Sequence, residues 1–130
     1  MDRKTTFGLL AAIGLIVIVA GFFIFSSRDK SNDICKGKTG QTYSVNIKNS
    51  KPSNATIHGK MCDHITYKNL DNVTREIAFG PHENHIPYDG VAERFLNQNQ
   101  SFTITLNQTG SFHWHDHIHD EVEGYFTVTK

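Results

Sequence analysis

Two groups of histidines are the residues with metal chemistry to offer. His82-Glu83-Asn84-His85 carries one pair, and the run His113-Trp114-His115-Asp116-His117-Ile118-His119 carries four more, so six of the eight histidines in this 130-residue chain fall between positions 82 and 119. In an extended strand, residues two apart point to the same side with α-carbons about 7 Å apart. The imidazoles of His115 and His117 can therefore reach one ion. Fully extended, the run from His113 to His119 would cover roughly 20 Å, so two or three of its rings at most can share a metal unless the chain bends. His113 lies between Phe112 and Trp114, whose alternation marks a core face, and is expected to point into solvent. His82 and His85 converge only if their loop turns, which Gly80-Pro81 before them and Pro87 after them favour. Either pair alone is a weak signal. Together they define a candidate metal site of His82, His85, His115 and His117. The bland alternative is a polar cluster that titrates near neutral pH. His58 and His64 stand alone beside strands and are read as structural.

The elements that must position these rings are strands. Period-two alternation recurs in Tyr43/Val45/Ile47, Ile65/Tyr67, Ile77/Phe79, Phe102/Ile104/Leu106, Phe112/Trp114 and Phe126/Val128, as expected of strands with one buried face. Turn chemistry separates them at Lys51-Pro52-Ser53-Asn54, Asn69 to Asn72, Asp89-Gly90, Asn107 to Gly110 and Glu123-Gly124. Only Val91 to Leu96 reads as a possible helical turn. An all-β, antiparallel sandwich of about seven strands buries these faces together.

This domain does not use the whole chain. Residues 7–25 form an uncharged apolar stretch of 19 residues, long enough at about 1.5 Å per residue to cross most of a bilayer core. Ala20 and Gly21 are followed by further bulky apolar residues, which favours an uncleaved anchor over a secretory leader. The expected organisation is a cytoplasmic N-terminus at 1–6, a transmembrane anchor at 7–25, a polar linker at 26–33 and an extracytoplasmic domain at 34–130. That places the protein in the cell membrane as a single-pass chain with its C-terminal domain outside, the flanking charges orienting it only weakly. Cys35 and Cys62 fit such a compartment, where a disulfide between them can persist; two buried free thiols are the alternative. Thirteen basic residues balance thirteen acidic ones, which removes the footprint of a nucleic-acid binder. Three Asn-x-Thr triplets begin at Asn54, Asn72 and Asn107 and arise readily by chance.

The stretch from Tyr43 to Lys130 resembles a cupredoxin domain. Lys60 to Asp71 resembles that family's strand entry followed by an Asn-x-Asp turn, Gln98 to Leu106 its later hairpin strand, and Gly110-Ser111-Phe112 through Gly124-Tyr125-Phe126-Thr127-Val128 its ligand-bearing last hairpin. The resemblance implies a Greek-key β-sandwich. The blue-copper ligand set does not carry over. Arg75 falls where the first histidine would be, Asp116 where the cysteine would be and Val122 where the methionine would be; His119 alone matches. What remains is similar to a subgroup of small cupredoxin-like proteins with a His-x-x-His loop, a Tyr-Asp-Gly turn and an aromatic-His-Asp-His strand end. Here those are His82 to His85, Tyr88-Asp89-Gly90 and Trp114 to His117. By the same resemblance Asp116 faces inward and its flanking histidines outward.

The expected function is a membrane-anchored, extracytoplasmic metal-binding protein with an all-histidine site. Copper is the expected ion and zinc the alternative, because four neutral imidazoles suit either and the Irving-Williams order favours copper. Glu83, Asp116 and His119 are candidates for an extra ligand or for orienting a ring nitrogen. Holding copper, or delivering it to a redox or copper-delivery partner protein, suits such a site; electron transfer is the other role open to it. The other readings are a copper-dependent redox enzyme acting on superoxide or another small oxidant, and a metal-free interaction module tuned by pH.

Overall fold

The computed structural model describes residues 34–130. The apolar segment 7–25 and the linker lie outside the described residues, among which no helix is long and apolar enough to cross a membrane. Nine strands follow one another: β1 (Thr42–Lys48), β2 (Lys51–Pro52), β3 (Thr56–Lys60), β4 (His64–Asn69), β5 (Arg75–Phe79), β6 (Glu93–Leu96), β7 (Ser101–Thr105), β8 (Gly110–Asp116) and β9 (Glu123–Thr129). They form two sheets, ordered β2-β1-β4-β7 and β3-β9-β8-β5-β6.

The count exceeds the expected seven because three short strands carry weak alternation. Lys51–Pro52, read as turn, pairs with the end of β1. Thr56–Lys60 pairs with β9. Val91 to Leu96 does not form a helical turn; its last four residues are β6, an edge strand paired to β5. The sandwich is also not purely antiparallel. The chain crosses to the other sheet as β3 between β1 and β4, so β1 returns parallel to β4, and β3 itself runs parallel to β9.

The core lies between the sheets and is built from the alternating residues. Val45, Ile47, Ile65, Tyr67, Ile77, Phe79, Ile104, Leu106, Trp114, Phe126 and Val128 are buried in one cluster. Tyr67 meets Trp114 edge-on with ring centroids 5.2 Å apart and stacks on Phe102 at 5.3 Å, geometries that aromatic rings favour. Gly124 is required beside Trp114. A Cβ there would collide with the Ala55 carbonyl and stand 2.6 Å from the indole Nε1.

One end of the sandwich is closed by charge. Arg75 and Asp116 project inward and pair at 2.8 Å, with side-chain exposures of 1% and 0%. The second guanidinium nitrogen reaches Asp71 at 2.7 Å and Ser50 Oγ at 2.9 Å. Asp71 also accepts the Ser50 and Asn49 amides; the Ser50 amide first, and Arg75 with it, hold its carboxyl below the ordinary range. Asn69 supports the turn by accepting Asp71 N–H and donating to the Val73 and Leu96 carbonyls. The opposite end is fastened by the Cys35–Cys62 disulfide, its α-carbons 5.2 Å apart across 27 residues.

Two stability outcomes follow. Replacing Arg75 with Met leaves a buried Asp116 charge unpaired and is expected to cost about 3–5 kcal/mol in urea unfolding. Cys35→Ser, which opens the 27-residue loop, is expected to cost about 3 kcal/mol by the same measurement.

Candidate metal centre

Strand β5 is buried along its whole length, which a strand with one solvent face cannot be. Arg75, Ile77 and Phe79 look into the sandwich, so something must cover the outer face at Glu76 and Ala78. The cover is the loop that follows. Gly80, at φ +85°, turns the chain where a Cβ would come within 2.8 Å of Ile86 N. Ile86 N–H then returns to the Phe79 carbonyl at 2.8 Å, and Asn84 N–H closes a turn on the Pro81 carbonyl at 3.1 Å. The excursion folds His82 and His85 back over the sheet.

Strand β8 supplies the other rings. Trp114 and Asp116 point inward, so His113 and His115 point outward beneath the loop. Beyond the strand, Asp116 turns the chain by accepting Ile118 N–H at 3.1 Å, while His117 N–H bonds the Glu76 carbonyl at 2.8 Å. This sets His117 beside the same patch. Ring centroids of His82 lie 5.3 Å from His115 and 4.5 Å from His117; those of His85 lie 5.3 and 4.7 Å from the same two. The four expected histidines therefore do converge. His82, His115 and His117 form the tightest set, each offering a nitrogen within 4.8 Å of the others. Metal–nitrogen bonds of about 2.0–2.1 Å ask for nitrogens up to about 4 Å apart, so small ring movements close such a set on an ion.

His115 distinguishes this cluster from a satisfied polar patch. It is 2% exposed, and neither of its ring nitrogens has a hydrogen-bond partner. Leaving a buried polar atom unpaired costs about 1–3 kcal/mol. A cation fits that vacancy of bonding, since a neutral imidazole lone pair is what it takes. Burial first, then the neighbouring His113, His85, His82 and His117, push the His115 pKa down to about 4, so the ring is neutral and ligand-ready at neutral pH.

The remaining expected residues separate from the cluster. Asp116, expected to orient a ring nitrogen, instead gives both oxygens to Arg75, Glu76 N–H and Ile118 N–H; its inward placement agrees with the resemblance. Glu83 is exposed, and neither it nor His119 joins the three-histidine set. The His119 carbonyl caps the β8–β9 turn through Val122 N–H. His113 is not a free surface ring: it is 25% exposed and held by Glu123 at 2.8 Å and the Gly80 carbonyl at 3.1 Å. Two carboxylates were missed. Glu93 lies 3.1 Å from His85 Nδ1. Glu76 is buried beside it, its pKa raised by burial first and then by the Glu93 charge. Glu93-Arg94-Phe95-Leu96 carries no alternation that could have found Glu93, since only Leu96 is buried.

Solved structures share this architecture at low identity. A reduced-state amicyanin mutant is 20% identical, covering 67% of this chain and 81% of its own, with a TM-score of 0.55. A second reduced amicyanin mutant is 18% identical, covering 69% and 84%, with a TM-score of 0.57. An oxidized amicyanin mutant is 18% identical, covering 72% and 86%, with a TM-score of 0.56. The fold is that of the cupredoxins. No protein-family model matches the chain, and no curated protein does. Within this cupredoxin-like fold, Arg75 and Asp116, which stand where the resemblance puts a histidine and the cysteine of a blue-copper site, form a buried ion pair. The histidines gather on the outer face of the five-stranded sheet.

The depressed His115 pKa makes a test of the metal-free protein. Between about pH 6.5 and pH 4 the unfolded ring binds a proton that the folded ring refuses. Stability therefore falls as pH drops through that window and levels off below it, by about 3 kcal/mol in total. Urea unfolding of wild type against His115→Gln at a series of pH values measures it, and the variant is expected to show a shallower decline.

Proposed function

We propose that this chain is a copper-binding cupredoxin-like protein whose ion sits on His82, His115 and His117, with His85 at the edge of the centre. The observation that carries the reading is His115: a buried, neutral imidazole with two unpartnered nitrogens, facing two other imidazoles. Three imidazoles suit copper(II) or zinc, and copper stands higher in the Irving-Williams order. Three of the similar amicyanin mutant structures are described as Cu(I), which favours the same ion for this fold. Both cysteines of the chain are in the disulfide, so no thiolate is available and the protein is colourless or pale blue rather than intensely blue.

The role proposed is holding and delivering copper on the outer side of a membrane. Support for that placement comes from the apolar segment 7–25 in the sequence and from the disulfide, which persists in oxidising compartments. His82 is exposed while His115 is buried, so the ion has one protein-facing and one open side, as exchange with a partner requires. An all-imidazole set lacks the soft sulfur ligands that ease cycling to copper(I), which favours transfer of the ion over fast electron transfer.

Copper EPR on the tag-free, detergent-solubilised chain tests the reading. Wild type is expected to bind one copper with resolved nitrogen hyperfine structure. His115→Ala with His117→Ala is expected to lose that structure and to weaken binding by more than about 100-fold, because loss of an outer partner alone costs about 10–100-fold. Unchanged hyperfine structure in the double variant would remove the assignment.

A further inference from the structure

His85 lies within the histidine cluster, yet both of its ring nitrogens are already engaged. Nδ1 is 3.1 Å from Glu93 Oε2, and Nε2 is 3.0 Å from His117 Nδ1. The directions of these two bonds follow from chemistry. A carboxylate only accepts, so His85 carries its proton on Nδ1 and donates to Glu93. In the neutral ring His85 Nε2 is then a bare lone pair, and the contact with His117 is a bond only if His117 Nδ1 donates to it. That leaves the His117 lone pair on Nε2. The sequence of bonds runs from Glu93 through His85 to His117.

We infer that His85 is not a metal ligand but the middle of a Glu93–His85–His117 hydrogen-bond relay that fixes the tautomer of His117 and presents its Nε2 to the ion. The inference rests on the copper-binding reading above and deepens it, giving His85, at the edge of the three-imidazole centre, a role through His117 instead of through the ion. It accounts for the tightest nitrogen set comprising His82, His115 and His117 without His85. It also gives Glu93 a role. In the register of the sheet, Ala78 pairs with His115 on one side and with Glu93 on the other. The small Ala78 side chain leaves room above it for the His85 ring to descend between the two. Glu93 is a positioning residue: it touches no ligand of the ion and acts through His85. A carboxylate-anchored imidazole is more strongly electron-donating than a free one, so a bond accepted by His85 makes His117 in turn a better donor to the metal.

Nitrogen-15 NMR of histidine side chains in the metal-free, full-length chain, at a pH where the rings are neutral, reads the relay directly. Both His85 and His117 are expected as the Nδ1–H tautomer, and Glu93→Ala is expected to release His117 into a mixture of tautomers. Copper EPR and electron spin-echo spectroscopy then read the ligand count. His85→Ala is expected to keep three coordinated nitrogens, whereas His82→Ala falls to two. His85→Ala and Glu93→Ala are each expected to weaken copper binding by about 10–100-fold. The double variant is expected to lose no more than either single one, because the two act in series. Glu93→Gln, whose amide oxygen still accepts from Nδ1–H, is expected to recover most of the affinity. Glu93 is 48% exposed on its side chain, so these substitutions leave the core untouched. An Nε2–H tautomer at His117, or loss of one coordinated nitrogen in His85→Ala, would overturn the relay while leaving the copper centre standing. A wild-type chain that binds no copper would overturn the centre itself.

Discussion

The pairing of Arg75 with Asp116 is the contact on which the arrangement of the histidines depends. It joins β5 to β8 inside the sandwich, and the remaining acceptor capacity of Asp116 takes the amides of Glu76 and Ile118. The first of these holds β8 against β5 past the last ladder pair. The second bends the chain as the strand ends, which is why His117 stays over the sheet instead of continuing into solvent. A buried ion pair adds little net stability compared with a well-packed apolar pair. Its value here is positional, since an apolar pair could fill the space but could not cap two amides.

With the interior end of the sandwich occupied by that ion pair, the candidate metal site lies on the other side of the same sheet. Successive residues of one strand face opposite ways, so Trp114 completes the core while His115 begins the site. The loop from Gly80 to Ile86 has two effects at once: it delivers His82 and His85, and it removes water from His115. Desolvation is what keeps His115 neutral and leaves its nitrogens without partners. Had the loop been shorter, His115 would be an ordinary surface imidazole bonded to water.

Much of this was legible in the residues. Alternation located six of the nine strands, because each has one face against the core, and the spacing of His115 and His117 across Asp116 announced two rings on one side. The short strands were hidden for physical reasons. Lys51–Pro52 is only two residues long, and β3 alternates buried and exposed positions through Gly59, which carries no hydrophobic signal. Strand β6 keeps only Leu96 buried, so its periodicity is nearly silent, and Glu93 was concealed with it. The parallel pairing of β1 with β4 is a matter of long-range connection that no local pattern records. The burial of His115 and the partial covering of His113 were equally unreadable, since they depend on a loop thirty residues away folding back across the strand.

The disulfide sets a direction for the molecule. Cys62 lies between the end of β3 and the start of β4, and β3 runs parallel to β9 with Lys60 opposite Thr129. Cys35 is therefore stapled at the pole where β9 finishes, whereas His115 sits level with Glu123, where β9 starts. Seven strand residues separate the two levels, roughly 20 Å. The described chain therefore begins, with Ile34 beside Cys62, at the pole away from the imidazoles, which keeps that first segment clear of the histidine cluster.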